Sequence, residues 1–269
     1  MSLALPAVGF GTYKLNGLSG VDTVISALRV GYRLLDSAMN YENEGAVGTA
    51  VRRSDVPRDE IVVTSKLPGR HHAYDLAVTS IEESVLRTGL DHLDLHLIHW
   101  PNPSHDLYVE AWQALIDAQR RGLVFHIGVC NFLPEHLDRL ERETGVLPAV
   151  NQIELHPYFP QVEALADHRR RGIVTQAWSP LGRKSDLLTD PVVVEVAEQH
   201  DLTPAEAVLA WHAAVGAVPL PKASSEGRQR ENLAAVGRDL DPAAVERLTA
   251  LGRPDGRLFD GDPATRVED

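Results

Sequence analysis

Eight short runs of branched apolar residues, each followed by a stretch with helical periodicity, constrain this chain more than any other feature of its sequence. The runs are Ala7 to Tyr13, Leu34 to Ala38, Ile61 to Leu67, Leu93 to His99, Val124 to Cys130, Val150 to Leu155, Ile173 to Trp178 and Ala217 to Pro221. Near-continuous hydrophobicity of this length suits buried strands. Between them, apolar residues recur at helical spacing: Val21, Val24, Ile25 and Leu28 before Gly31, then Val78, Ile81 and Val85 before Gly89, then Val109, Trp112, Leu115 and Ile116. Helix starts carry their own marks at Asp190-Pro191, at Thr203-Pro204 with Glu206 completing a capping box, and at Asp241-Pro242. Eight strand–helix units in 269 residues predict a closed α/β barrel, the (β/α)8 or TIM barrel, with a short N-terminal segment and an extra C-terminal helix. A doubly wound sheet would have fewer strands or a second domain. No Pro-, Gly- or Ser-rich linker interrupts the pattern, so residues 1–269 are expected to form one domain.

Charge and cysteine usage narrow the function classes. A formal net charge of −12 disfavours a nucleic-acid surface, which needs a basic face to neutralise phosphates. The longest uncharged stretch, Ala207 to Pro221, is too short to span a bilayer and is interrupted by Gly216 and Pro219. The single cysteine, Cys130, cannot form an intramolecular disulfide, and the N-terminal residues lack a secretory pattern. A cytoplasmic protein is expected, working as a monomer on a small molecule, with no nucleic-acid or membrane partner.

In a barrel of this kind chemistry sits at the C-terminal strand ends, where the βα loops converge. Polar residues ending the apolar runs are Asp36, Lys66, His99, Cys130 with Asn131, Gln152 with Glu154, and Trp178 with Ser179. Asp36, Lys66 and His99 are separated by 30 and 33 residues, one βα unit each, which places them at one height on neighbouring strands. Tyr41 follows Asp36 by five residues. An unperturbed tyrosine is a poor acid near neutrality; an adjacent ammonium favours the phenolate, and Asp36 would keep that lysine charged and placed. Tyr41 then serves as a general acid, while His99 polarises a carbonyl oxygen as a hydride arrives. No nucleophile accompanies the set. Lys222 and Arg228 are cations beside the last strand, where barrels commonly bind phosphate, and they favour NADP over NAD.

The motifs Gly-Phe-Gly-Thr-Tyr at 9–13, Leu-Asp-Ser-Ala-Met-Asn-Tyr at 35–41, Lys66, Leu-Ile-His-Trp-Pro at 97–101, Gly-Val-Cys-Asn-Phe at 128–132, Val-Asn-Gln-Ile-Glu-Leu-His-Pro at 150–157, Trp-Ser-Pro-Leu-Gly at 178–182 and Pro-Lys-Ala-Ser at 221–224 resemble those of the aldo-keto reductases, in the same order over nearly the whole chain. The likeness is to the bacterial branch that includes the 2,5-diketo-D-gluconate reductases. It implies an NADP(H)-dependent reductase with a catalytic tetrad of Asp36, Tyr41, Lys66 and His99, Tyr41 being the proton donor. It further implies that Asn131 and Gln152 hold the carboxamide, Trp178 stacks on the nicotinamide, and Ser179, Leu181 and Gly182 line the pyrophosphate. Lys222, Ser224 and Arg228 would face the 2′-phosphate, and Glu231 and Asn232 the adenine. Thr12 and Tyr13 join the cofactor set, and Tyr13 and Trp100, with Trp178, wall the substrate pocket. Cys130 stands where the family usually has Ser, and Ala223 replaces a common Ser. The short segment after the last helix, residues 252–269, implies an open pocket.

Several residues have plainer readings. Gly9-Phe10-Gly11 is a turn pair, since Lys14 stands where a dinucleotide fingerprint needs Gly. His96 and His99, three apart on a strand, point to opposite faces and share no metal; no metal site is expected. His71 and His72 read as solvated loop residues, Arg169 to Arg171 as a cationic helix end, Trp112 and Trp211 as packing, and His156 with Pro157 as loop-shaping. The expected activity is NADPH-dependent reduction of an aldehyde or ketone. Alternatives are an NADP(H)-binding regulatory module on the same fold, and a barrel lyase or isomerase using Lys66 as a Schiff base, which Asp36 disfavours by keeping the amine charged.

Overall fold

The computed structural model describes residues 4–259 and 261–268. Its eight strands are β1 (Phe10–Gly11), β2 (Leu34–Asp36), β3 (Val62–Leu67), β4 (Leu93–Ile98), β5 (Val124–Cys130), β6 (Val150–Glu154), β7 (Val174–Trp178) and β8 (Ala217–Pro219). Each pairs in parallel with the next, in sequence order. The first and last are joined by Gly9 N donating to Pro219 O (3.0 Å) and Gly11 N to Pro221 O (3.1 Å), which closes the barrel. Glycine is needed at this seam: a Cβ on Gly11 would lie 2.9 Å from the Leu220 carbonyl oxygen. All eight expected strands are present. The first is shorter than the run Ala7 to Tyr13 because the chain turns at Thr12, whose N–H and hydroxyl both donate to Asp36 O (3.0 and 2.8 Å) and whose carbonyl accepts from Leu15 N.

Ten helices accompany the strands among the described residues. Two of them, Pro191–Gln199 and Pro204–Ala214, both follow β7, so the last helix, Pro242–Thr249, is not the only addition to an eightfold alternation. The three marked helix starts are capped as their sequences dictate. Asp190 accepts from Val192 N, Thr203 and Glu206 form a reciprocal capping box, and Asp241 accepts from Ala244 N. Apolar helix faces pack against the strands around Trp112 and Trp211, which are fully buried and donate their indole N–H groups to Val146 O and Thr249 Oγ1. Arg169 to Arg171 end the helix Val162–Arg171, with Arg171 paired to Asp167 and Asp138. No described helix is long and apolar enough to cross a membrane.

The loop histidines depart from expectation. His72 is buried and burial holds its pKa down at about 4, while His71 Nδ1 lies 3.0 Å from Ser80 Oγ. The loop after β3 is packed rather than solvated, because the chain beyond the last helix returns across this end of the barrel.

Candidate active site

The C-terminal strand ends surround a cavity of about 660 Å3 lined by Asp36, Tyr41, His99, Trp100, Cys130, Asn131, Gln152, Trp178, Ser179 and Leu181, among others. Asp36 and Lys66 sit at the ends of β2 and β3 and are 5 % and 1 % exposed. Lys66 Nζ donates to Asp36 Oδ2 (2.8 Å) and Ser37 O (2.9 Å), and its third donor reaches Tyr41 Oη at 3.4 Å. The other Asp36 oxygen accepts from Gln152 Nε2 (2.8 Å), which also donates to Gln176 Oε1 (2.9 Å). Tyr41 arrives through a one-turn 3-10 helix, Met39–Tyr41, that folds the phenol back over the lysine.

Burial opposes the charge on Lys66, but the Asp36 carboxylate and the Tyr41 oxygen outweigh it and raise the ammonium pKa above its ordinary value. The Tyr41 ring is partly exposed at the cavity, whereas its hydroxyl lies deep among Lys66, Asp36 and Cys130. Burial pushes that phenol up to about 12; Lys66 pulls in the expected direction but does not overcome burial. The phenol therefore holds its proton at neutral pH, and the ammonium beside it is placed to stabilise a phenolate as one forms. Burial also pushes the Cys130 thiol well up, which leaves it un-ionised and unsuited to attack.

His99 lines the same cavity with its ring edge-on to Tyr41, centroids 6.1 Å apart. His96 is buried and does not line it. Asn131, in a left-handed backbone conformation (φ 62°), accepts from Trp178 Nε1 (2.8 Å) and donates to His99 O (3.1 Å), so one amide sets both neighbours. Tyr13 and Lys222 reach the cavity as well. Thr12 does not: it is fully buried behind the wall, bonded to Asp36 O, and Asn43 Nδ2 donates to its carbonyl oxygen. Gly182, Ser224, Arg228, Glu231 and Asn232 lie outside the cavity lining, on the loops that follow β7 and β8 and the helix Glu226–Ala235. Lys222 donates to Ser224 Oγ (2.7 Å), and among the described residues neither Lys222 nor Arg228 forms an ion pair with a carboxylate.

Sequence reasoning assigned no site residue to the segment after the last helix. It walls the pocket: Phe259 stacks on Trp178 at 6.2 Å, Gly261 lines the cavity, and the Arg266 guanidinium lies 4.7 Å over Trp100. The segment is short, yet it supplies part of the pocket lining. His156 and Glu154 help to seat it, since Glu154 Oε1 accepts from His156 Nε2 (3.0 Å) and from Leu258 N (2.6 Å). No periodicity or motif marks these residues. The pairing of Gly69 with this segment, described below, had no sequence signal beyond a lone Pro-Gly step.

The surroundings fit a phosphorylated dinucleotide. A flat indole at the cavity wall, amides of Asn131 and Gln152 facing it, and two cations without carboxylate partners beyond β8 supply stacking, amide recognition and phosphate charge. Comparison with known proteins agrees. A family model described as the Aldo/keto reductase family matches residues 7–253. The chain is 51 % identical to 2,5-diketo-D-gluconic acid reductase B of Corynebacterium sp. (strain SHS752001), covering 97 % of this chain and 93 % of that one. It is 39 % identical to morphine 6-dehydrogenase of Pseudomonas putida, covering 92 % and 88 %. Among solved structures, a Gox0644 variant in complex with NADPH superposes with a TM-score of 0.91 at 38 % identity, covering 97 % and 94 %. An enclosed lysine–carboxylate–phenol chain at the mouth of a closed eightfold barrel, matched over almost its full length by these relatives, leaves one assignment: the chain belongs to the aldo/keto reductase family.

Proposed function

We propose that the protein is an NADPH-dependent reductase of aldehydes or ketones, working as a single barrel, with Tyr41 as proton donor. The observation that carries this reading is the chain from Asp36 through Lys66 to Tyr41, whose phenol keeps its proton and opens onto the cavity. Bound NADPH supplies the hydride that the carbonyl carbon accepts. Tyr41 delivers its proton to the carbonyl oxygen, Lys66 stabilises the phenolate left behind, and Asp36 holds Lys66 charged and aimed. His99 hydrogen-bonds the same carbonyl oxygen. Trp178 offers its face to the nicotinamide, and Asn131 and Gln152 hold the carboxamide. Ser179, Leu181 and Gly182 border the pyrophosphate. Lys222, Ser224 and Arg228 take the 2′-phosphate, with Glu231 and Asn232 beside the adenine.

The substrate side is aromatic, from Tyr13 and Trp100, and the lining carries the cations Lys14, Arg183 and Arg266, none of which has an ion-pair partner among the described residues. A carbonyl compound bearing a carboxylate suits that wall, and the Corynebacterium relative is named for a keto acid of this kind. The test is consumption of NADPH, followed at the nicotinamide absorbance, with simple aldehydes, dicarbonyls, keto-sugars and sugar keto acids, repeated with NADH. Turnover with NADPH well above that with NADH is expected. Tight NADPH binding with no turnover on any of these compounds would overturn the reading.

A further inference from the structure

Glu268 lies far from the tetrad in sequence, yet its carboxylate is fixed against His99. His99 Nδ1 is 2.6 Å from Glu268 Oε1, an ion-pair contact in which the ring N–H is not aligned on the oxygen, so the nitrogen makes no hydrogen bond. Among the described residues no other acceptor reaches this buried nitrogen. The same oxygen accepts from Asn40 Nδ2 (2.9 Å), and Oε2 accepts from Gly69 N (2.9 Å). The backbone of Glu268 is held on both sides by Asn102, its N–H donating to Asn102 Oδ1 (3.0 Å) and its carbonyl accepting from Asn102 Nδ2 (2.8 Å). One residue thus ties together the loops after β2, β3 and β4, the three strands that carry Asp36, Lys66 and His99.

The seat is shaped for it. A Cβ on Gly69 would lie 2.6 Å from Glu268 O and 2.1 Å from Asn102 Nδ2, so no larger residue fits there with the glutamate in place. Glu268 is 9 % exposed. Burial works against its charge, but His99, the Gly69 N–H and the Asn40 amide outweigh burial and keep its carboxyl below the ordinary range. It is therefore a carboxylate, an acceptor only, and His99 must place a proton on Nδ1 to meet it.

We infer that Glu268 is a positioning residue for the reaction: it fixes the His99 ring with Nδ1–H turned inward and Nε2 turned to the cavity. A neutral ring so fixed presents a bare Nε2, and only the doubly protonated ring presents an Nε2–H donor to a carbonyl oxygen, with Glu268 as its counter-charge. This assignment rests on the reductase reading of His99, but part of its test does not.

Two-bond 1H–15N spectra of 15N-histidine-labelled protein, assigned with a His99→Ala control, report the proton on Nδ1 whether or not any substrate is turned over. Wild type is expected to show His99 with Nδ1 protonated, and Glu268→Ala to lose that signature. In steady-state kinetics kcat should fall roughly 10- to 100-fold in Glu268→Ala and by less in Glu268→Gln, whose amide oxygen still faces the Nδ1–H, with NADPH affinity within about twofold of wild type. Gly69→Ala, which displaces the glutamate without altering it, should reproduce the loss of kcat. A bare His99 Nδ1 in wild type overturns the inference, even if Glu268→Ala does not fold. So does unchanged kcat in both glutamate variants, or a loss of kcat matched by an equal loss of NADPH affinity, which would leave Glu268 with a merely structural hold on the chain. Absence of turnover in wild type with Nδ1 protonated would instead count against the reductase reading alone.

Discussion

Replacing Asp36 by Asn removes a single charge from a site where every atom of the carboxylate is used. Oδ2 accepts from Lys66 Nζ and Oδ1 from Gln152 Nε2, both at 2.8 Å. An amide has one accepting oxygen. If it faces Lys66, its NH2 meets the Gln152 NH2, and turning Gln152 over would break the bond to Gln176 Oε1. If it faces Gln152, Lys66 is left buried beside a donor. Either way the lysine loses its counter-charge, a change that costs about 3–5 kcal/mol in buried pairs. Deprotonating Lys66 at pH 7, from its ordinary value of 10.5, costs about 5 kcal/mol at about 1.4 kcal/mol per unit, so the penalty cannot rise far above that.

The expected result is a loss of about 3–5 kcal/mol in urea unfolding, or on the order of 10 °C in melting temperature. A fall of about 100-fold or more in turnover should accompany it as Tyr41 loses its aligned cation. The pH dependence carries its own sign. Lys66 has a raised folded-state pKa, so the wild-type pair contributes fully below pH 10.5 and is lost only above it. In the variant, a neutralised Lys66 would narrow the gap to wild type by about 1.4 kcal/mol per pH unit from pH 7 to 9, whereas a lysine that stays charged would leave it constant. A variant within about 1 kcal/mol of wild type and within a few-fold in turnover would refute the argument that Asp36 acts by holding Lys66.

Three further outcomes follow from the same structure. Tyr41→Phe should lower turnover by at least about 100-fold while NADPH affinity, measured by fluorescence titration, stays within about twofold, because only the reacting oxygen is removed. Arg228→Ala and Lys222→Ala should each weaken NADPH binding by roughly tenfold and leave NADH binding nearly unchanged, since only the former carries the extra phosphate. Urea midpoints taken from pH 7 to pH 5 should fall steeply: burial holds His72, His168 and His212 at about 4 and His96 at about 3, so they cost the fold nothing above pH 6.5, and each costs about 1.4 kcal/mol per unit as pH falls below it.

How much was legible in the sequence depends on the range of the interaction. Eight strands and their order were readable because a parallel strand buried on both faces must be apolar throughout, and because caps such as Thr203 with Glu206 act within one turn. The placing of Asp36, Lys66 and His99 at the ends of three successive strands followed from a constant βα repeat, while their stagger did not: Asp36 pairs with Thr64 and Lys66 with Leu97. The first strand was overestimated because nothing local shows that Thr12 spends both its donors on Asp36 O. The solvated reading of His72 failed because its burial comes from packing around Glu268 and the loops after β3 and β4, not from its neighbours in sequence.

The sequence by itself determined the barrel and its strand ends, since each is fixed by local pattern and regular spacing, and it nominated Asp36, Tyr41, Lys66 and His99 as the candidate site. Tertiary structure alone decided the environment of those side chains. Burial sets Tyr41 as a phenol that keeps its proton, despite the lysine beside it. The same folding brings residues 259, 261, 266 and 268 back across the barrel mouth, where a contact 169 residues long in sequence seats Glu268 on His99. Desolvation and long-range closure depend on atoms that no neighbouring residue specifies, and they become visible only once the chain has folded.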